Sequence, residues 1–294
     1  RNVTGVQTCA LPIYFDDGTS AECCDEHLWA VQTRNDRINN HPCRVVTTLQ
    51  MKERLKMGDN GRLIYVPLVT QLDFDDVILP IDPYALGLLL GDGSFVNSST
   101  IRFTTSDNEL VSMLQSRLSS DCYVKPVGKR TIEYTITKHT NCRGLDEDGL
   151  RGCSLLHGLK DLGLHGKTSR DKFIPSIYLY ASATQRLELL QGLMDTDGTC
   201  GRVTPTADFS SRSELLAKSV AWLVRSLGGT ASMRIKRGIH LGQRHHSWRV
   251  TIRLPDGMVP FKLQRKIDRY TVRKNRPLGK MVSKIEFSRF AECV

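Results

Sequence analysis

Ala85-Leu-Gly-Leu-Leu-Leu-Gly-Asp-Gly93 returns 105 residues later as Leu190-Gln-Gly-Leu-Met-Asp-Thr-Asp-Gly198. Gly87, Asp92 and Gly93 fall on Gly192, Asp197 and Gly198. Self-similarity at a fixed offset marks a duplicated structural unit. The residues after each copy repeat as well: Phe103-Thr-Thr-Ser106 corresponds to Phe209-Ser-Ser-Arg212. Leu110, Leu114 and Leu118 then form an apolar stripe at helical spacing, as do Leu216, Val220, Leu223 and Leu227. Next, Ile132, Tyr134 and Ile136 alternate with polar residues, and Trp248, Val250, Ile252 and Leu254 alternate with Arg249, Thr251 and Arg253. Period two predicts sheets with one apolar and one polar face. The fold expected is α+β, two copies of helix, strands and helix related by a pseudo-twofold.

The nine-residue segments also carry a chemistry. Glycine inside a helix costs about 1 kcal/mol, so Gly87, Gly91 and Gly192 need a reason, and close approach of the two helices supplies one. Asp-Gly then closes each helix, with Gly93 and Gly198 read as left-handed C-caps. Each aspartate therefore sits where the helix dipole is already negative. Brought to about 4 Å at an effective dielectric near 20, two carboxylates repel by about 4 kcal/mol. A divalent cation relieves that repulsion, and oxygen ligands favour Mg²⁺ (or Mn²⁺). A metal-bound water beside a basic residue is a nucleophile for phosphodiester hydrolysis.

The bulk numbers fit a polyanion as partner. The chain has 294 residues, 41 Lys+Arg against 31 Asp+Glu, and a formal charge of +10. Between Arg234 and Arg289 there are sixteen basic residues and only three acids, Asp256, Asp268 and Glu286. Such clustering points to a face that meets phosphates. Nine cysteines without paired short spacings indicate neither structural zinc nor a disulfide framework, so a reducing cytoplasm is expected. The longest apolar run, Tyr84–Leu90, is far too short to span a membrane.

The duplicated segment resembles the motif of the LAGLIDADG family, specifically the double-motif homing endonucleases carried inside inteins. The second copy matches at most positions; the first has Leu90 where the family often has a carboxylate. The resemblance implies an αββαββα fold in each half, a saddle of two sheets on double-stranded DNA, and a monomer with internal pseudo-dimer symmetry. It implies that Asp92 and Asp197 are catalytic and bind the metal, and that two active sites cut opposite strands. Lys172-Phe-Ile-Pro175 is similar to the family's Lys-x-Ile-Pro element, whose lysine helps activate water. Phe261-Lys-Leu-Gln-Arg-Lys266 is similar to the matching region of the second repeat, with Lys266 nominated ahead of Lys262. Arg249, Thr251 and Arg253, and in the first half Lys129 and Arg130, are the expected DNA contacts. An inert nucleic-acid-binding protein on the same fold is the alternative.

The flanks resemble parts of a splicing (Hint) domain, and Tyr14–Phe74 reads as β-rich with many turns. Asp16-Asp-Gly-Thr-Ser-Ala-Glu-Cys-Cys-Asp-Glu-His-Leu-Trp29 is similar to the intein block that supplies a histidine for the first acyl shift, which nominates His27. Splicing also needs an N-terminal Cys or Ser and a C-terminal Asn; the stretch has neither, so splicing is not expected of it, and the exteins of a host protein are partners only of a full precursor. Arg1–Ile13 resembles translated sequencing adaptor and is set apart. The expected organisation is 14–75 as the N-terminal splicing part, 76–268 as the endonuclease (repeats 79–178 and 179–268), and 269–294 as the start of the C-terminal splicing part. A prokaryotic or phage gene is the expected source.

Overall fold

The computed structural model describes residues 7–56, 63–96, 100–128, 132–138, 152–201, 206–240, 243–270 and 278–292. The first flank alternates short strands and helices: β1 (Gln7–Phe15), β2 (Ser20–Cys23), β3 (Leu28–Thr33), α1 (Arg34–Ile38), β4 (Arg44–Thr47), α2 (Thr48–Lys56) and β5 (Ile64–Pro67). Helix α2 interrupts a segment whose sequence reads as β-rich. Its start is fixed by reciprocal bonds between Thr47 and Gln50, and Met51 anchors it in the core. Residues 7–13, part of the adaptor-like stretch, make most of β1, with Leu11 and Ile13 buried.

The first repeat follows as α3 (Pro83–Asp92), β6 (Gly93–Ser94), β7 (Ile101–Thr104), α4 (Asn108–Arg117), β8 (Cys122–Pro126), β9 (Glu133–Lys138), α5 (Ser154–Asp161) and the short α6 (Ser176–Leu179). The second runs α7 (Ala183–Asp197), β10 (Gly198–Cys200), β11 (Ala207–Ser211), α8 (Glu214–Ser226), β12 (Thr230–His240), β13 (Gln243–Arg253) and α9 (Gln264–Ile267). Leaving α6 aside, both read αββαββα. The sheets share one order, β6-β7-β9-β8 and β10-β11-β13-β12. The register agrees too: Gly93 faces Phe103 as Gly198 faces Phe209, and Phe103 faces Tyr134 as Phe209 faces Val250. The apolar stripes of α4 and α8 lie on these sheets, though α4 stops at Arg117 and Leu118 turns extended as its C-cap.

After α9 the chain returns to the flank. Strand β14 (Gly279–Ile285) pairs with β1 and β5, and β15 (Arg289–Glu292) with β1. Both chain ends therefore share one sheet of order β15-β1-β14-β5-β3-β4, with β2 on β1. Its small core (Leu11, Ile13, Phe15, Val31, Met51, Val282) is separate from the large one between the repeats. Arg186 on α7, fully buried, ties the connector to the repeat: its guanidinium donates to the carbonyls of Ala181 and Leu72 and to Ser226 Oγ, under the ring of Phe74. Among the described residues no helix is long and apolar enough to cross a membrane.

Candidate metal centre and nucleic-acid interface

Helices α3 and α7 pack against each other through their glycines. A Cβ on Gly87 would lie 2.4 Å from the Leu189 carbonyl oxygen and 2.9 Å from Gly192 Cα; one on Gly192 would lie 2.3 Å from the Tyr84 carbonyl oxygen. Real Cβ atoms do not approach so closely, so the backbones touch because nothing stands between them. Gly91 faces the side chain of Thr196 in the same seam. Capping residues set the starts of both helices: Asp82 with Pro83 for α3, and a Ser182/Gln185 capping box for α7. Asp92 and Asp197 are the last residues of their helices and lie at the same end of the seam.

The left-handed caps expected at Gly93 and Gly198 are absent. Their φ values are −82° and −90°, both extended, because the chain passes straight from each helix into β6 or β10. The helix ends are closed instead by ammonium groups from far along the chain. Lys172 Nζ donates to the carbonyls of Leu89 (3.2 Å), Leu90 (2.8 Å), Gly91 (3.2 Å) and Gly93 (2.7 Å). Lys266 Nζ donates to those of Met194 (2.8 Å), Asp195 (2.7 Å) and Gly198 (2.7 Å). The two lysines are thus equivalent under the pseudo-twofold. Lys262 instead pairs with Glu188 at 2.7 Å, over the ring of Tyr84.

Electrostatics make this a strained cluster of charge. Burial pushes Asp197 up to about 6, helped by repulsion from Asp92 and opposed by Lys172 and Lys266. Burial also raises Asp92 against the pull of the same two lysines. Lys172, only 4% exposed, is pushed down by burial to about 8 despite Asp197 and Asp92; burial lowers Lys266 too. The carboxylates therefore feel each other across the seam, with a cation tucked behind each helix end. No cluster of three or more His, Cys, Asp or Glu occurs among the described residues. Two carboxylates without a closed cage suit a hard ion that keeps its waters, as Mg²⁺ does.

A cleft of about 340 Å³ opens beside Asp197, lined by Leu90, Gly91, Ser169, Lys172, Ser210, Ser211, Arg212 and Ser247. Sequence reasoning did not single out Arg212 or these serines. The signal was present, since Arg212 stands in the second repeat where Ser106 stands in the first, but residue type alone does not tell a groove arginine from a surface one. It also missed Asp195, 2% exposed, whose carboxylate accepts from Tyr84 Oη (2.8 Å) and from the N–H groups of Lys262 (3.0 Å) and Leu263 (3.3 Å). Asp195 is an internal acceptor tying α7 to the segment that carries Lys266.

The polar faces of the two sheets carry a charge-reversed pair. Arg102 on β7 lies 3.9 Å from Glu133 on β9, and at the equivalent places Asp208 on β11 lies 3.8 Å from Arg249 on β13. Thr251 donates to the same Asp208 at 2.6 Å. The expected contacts Arg249 and Thr251 are thus on one polar face and engaged by an acid. Arg253 lies further along that face, in a cleft of about 300 Å³ shared with Asp16, Asp17 and Lys280 of the flank. Lys129 and Arg130 lie outside the described residues. His27 is in the flank, exposed, its ring edge-on to Trp29 at 5.1 Å, with its carbonyl accepting from the Thr48 N–H.

The duplicated αββαββα order, the matching sheets and the touching motif helices are those the resemblance implies. The architecture is α+β, one unit written twice around antiparallel sheets. No protein-family model matches the chain. The replicative DNA helicase DnaB of Mycobacterium intracellulare is 29% identical over 241 residues, covering 76% of this chain and 35% of that protein. The chain therefore spans about a third of the length of the curated relative it matches. Among solved structures, mesophilic variants of the homing endonuclease I-DmoI align over 65% of this chain and 92% of theirs, at 12% identity and a TM-score of 0.37. The N-terminal LAGLIDADG domain of DUF199/WhiA aligns over 66% and 82%, at 10% identity and 0.31. Likenesses of that size carry no weight beside the internal repeat.

Proposed function

We propose that this chain is a site-specific DNA endonuclease of the intein-borne LAGLIDADG kind, embedded in a replicative helicase. The observation that carries the reading is the pair of half-buried carboxylates at the ends of two touching helices, each backed by a lysine on the helix carbonyls. Asp92 and Asp197 would hold Mg²⁺ or Mn²⁺. Such an ion supplies Lewis acidity and a water of lowered pKa for phosphodiester hydrolysis.

The chain's own residues do the rest. Lys172 and Lys266 spend their N–H donors on carbonyls, so they act in this state as fixed positive charges that keep the two acids and two negative helix ends together. Arg212 and the cleft serines offer donors to a phosphate next to Asp197. Arg249, Thr251 and Arg253 face the duplex, and Arg249 and Thr251 reach it once DNA competes with Asp208. The flanking sheet in which β1, β14 and β15 pair, with His27, belongs to a splicing domain on this reading.

The test is incubation with a plasmid carrying the uninterrupted gene of a DnaB helicase. Cleavage at one site with Mg²⁺, abolished by Asp92→Asn, is expected. Tight binding without cutting would move the assignment to an inert nucleic-acid-binding protein.

A further inference from the structure

Buried Lys172 and half-buried Lys266 are each braced from the opposite half of the duplication. Ser213, fully buried, is the N-cap of α8. Its hydroxyl accepts from the Leu216 N–H (3.1 Å) and donates to the main-chain carbonyl of Lys172 (2.6 Å), a residue of the first half. Asp107 holds the equivalent place before α4. One of its oxygens accepts from the Glu109 N–H (3.0 Å), and the other forms an ion pair with Arg265, the neighbour of Lys266 in the second half. The equivalence extends inward: the Asp107 N–H donates to Thr105 Oγ1 and the Ser213 N–H to Ser211 Oγ, both at 3.1 Å.

We propose that Ser213 and the Asp107–Arg265 pair are positioning residues. Each fixes the lysine of the other half, and through it the helix end that carries that half's aspartate, so that neither site is complete until the two halves dock. A lysine stem has four rotatable bonds, so the reach of Nζ onto three or four carbonyls depends on where its main chain is pinned. At Lys172 the pin is a hydrogen bond closed to water, and its loss leaves a buried carbonyl unmet. At Lys266 the pin is a partly exposed ion pair, intrinsically weaker, and the Asp195 clamp on Lys262 and Leu263 provides a second hold. The two braces are therefore unequal. The consequence for cutting rests on the endonuclease reading; the bracing does not.

The experiment is amine acylation of the full chain, with the rate at each lysine read by mass spectrometry. Ser213→Ala is expected to raise the rate at Lys172 about tenfold and leave Lys266 unchanged, and Ser213→Thr to restore it. Arg265→Ala, which leaves every helix cap intact, is expected to raise Lys266 about twofold and leave Lys172 unchanged. Equal loosening of both lysines in either variant, or of neither, overturns the proposal. A plasmid arm reads strand choice: each variant should accumulate nicked circles, on opposite strands, with the Ser213→Ala strand slowed the more. If the unsubstituted chain leaves the plasmid intact while the acylation pattern holds, the nuclease reading falls and the crosswise bracing stands.

Discussion

Replacing Asp197 with Asn should make the metal-free protein more stable, because the native carboxylate is ionised at a net cost. Its pKa stands at about 6 in the fold against an ordinary 3.8. Each unit of that difference is worth about 1.4 kcal/mol, so the ionised fold carries a penalty of about 3 kcal/mol. The sign comes from proton counting. Between pH 4 and 6 the native state binds more protons than the unfolded one, so stability falls as pH rises, and above pH 6 the penalty is constant. Asn has the same shape and no charge to desolvate. The gain from Asp197→Asn is therefore expected to be near zero at pH 3.5 and about 2–3 kcal/mol at pH 7.5, the lower figure allowing for water on the open side of the carboxylate. The assay is urea unfolding followed by hydrogen exchange in peptides from α3 and α7, which reports the motif helices apart from the flanking sheet. Adding Mg²⁺ should close the gap from the other side, by stabilising the unsubstituted chain and not the variant. A variant no more stable than the original at pH 7.5 without divalent cations would refute the claim that the Asp197 carboxylate is ionised here at a net cost, chiefly of desolvation.

Other substitutions separate the remaining terms. Gly192→Ala should cost about 1–3 kcal/mol of stability in urea, since the new Cβ meets backbone atoms of α3 that cannot yield without parting the helices; Gly91→Ala should cost a similar amount, because the Thr196 Cβ 2.6 Å away stays put when that side chain rotates. Arg186→Met should cost about 3 kcal/mol by leaving the Leu72 and Ala181 carbonyls without donors, and limited proteolysis should then cut the connector near Leu72. Asp208→Asn should free Arg249 and Thr251 for phosphate, so non-specific DNA affinity rises and its salt dependence steepens by about 0.9 in log–log slope. An unchanged slope in a fluorescence titration would mean that Arg249 does not meet the backbone.

Much of this was legible because duplication writes the same physics twice. The offset from Asp92 to Asp197 located the seam, and period-two alternation around Val250 and Ile252 located a sheet. The features that stayed hidden depend on partners distant in sequence. Asp-Gly after an apolar helix reads locally as a left-handed cap, yet Gly93 and Gly198 are extended. The reason is that the orphan carbonyls such a cap would serve are already taken, by Lys172 about eighty residues beyond α3 and by Lys266 about seventy beyond α7. A glycine is still required, because a Cβ at 93 or 198 would run into the Leu89 or Met194 carbonyl. The residue type was therefore informative and the local explanation was not. The same substitution of a distant cation for a local cap gives the lysines their place beside the aspartates. A cap supplied by backbone geometry would be neutral, whereas one supplied by an ammonium puts a positive charge behind each acid. Two carboxylates at two negative helix ends can then stay together in the absence of a metal, at a raised pKa but without prising the helices apart.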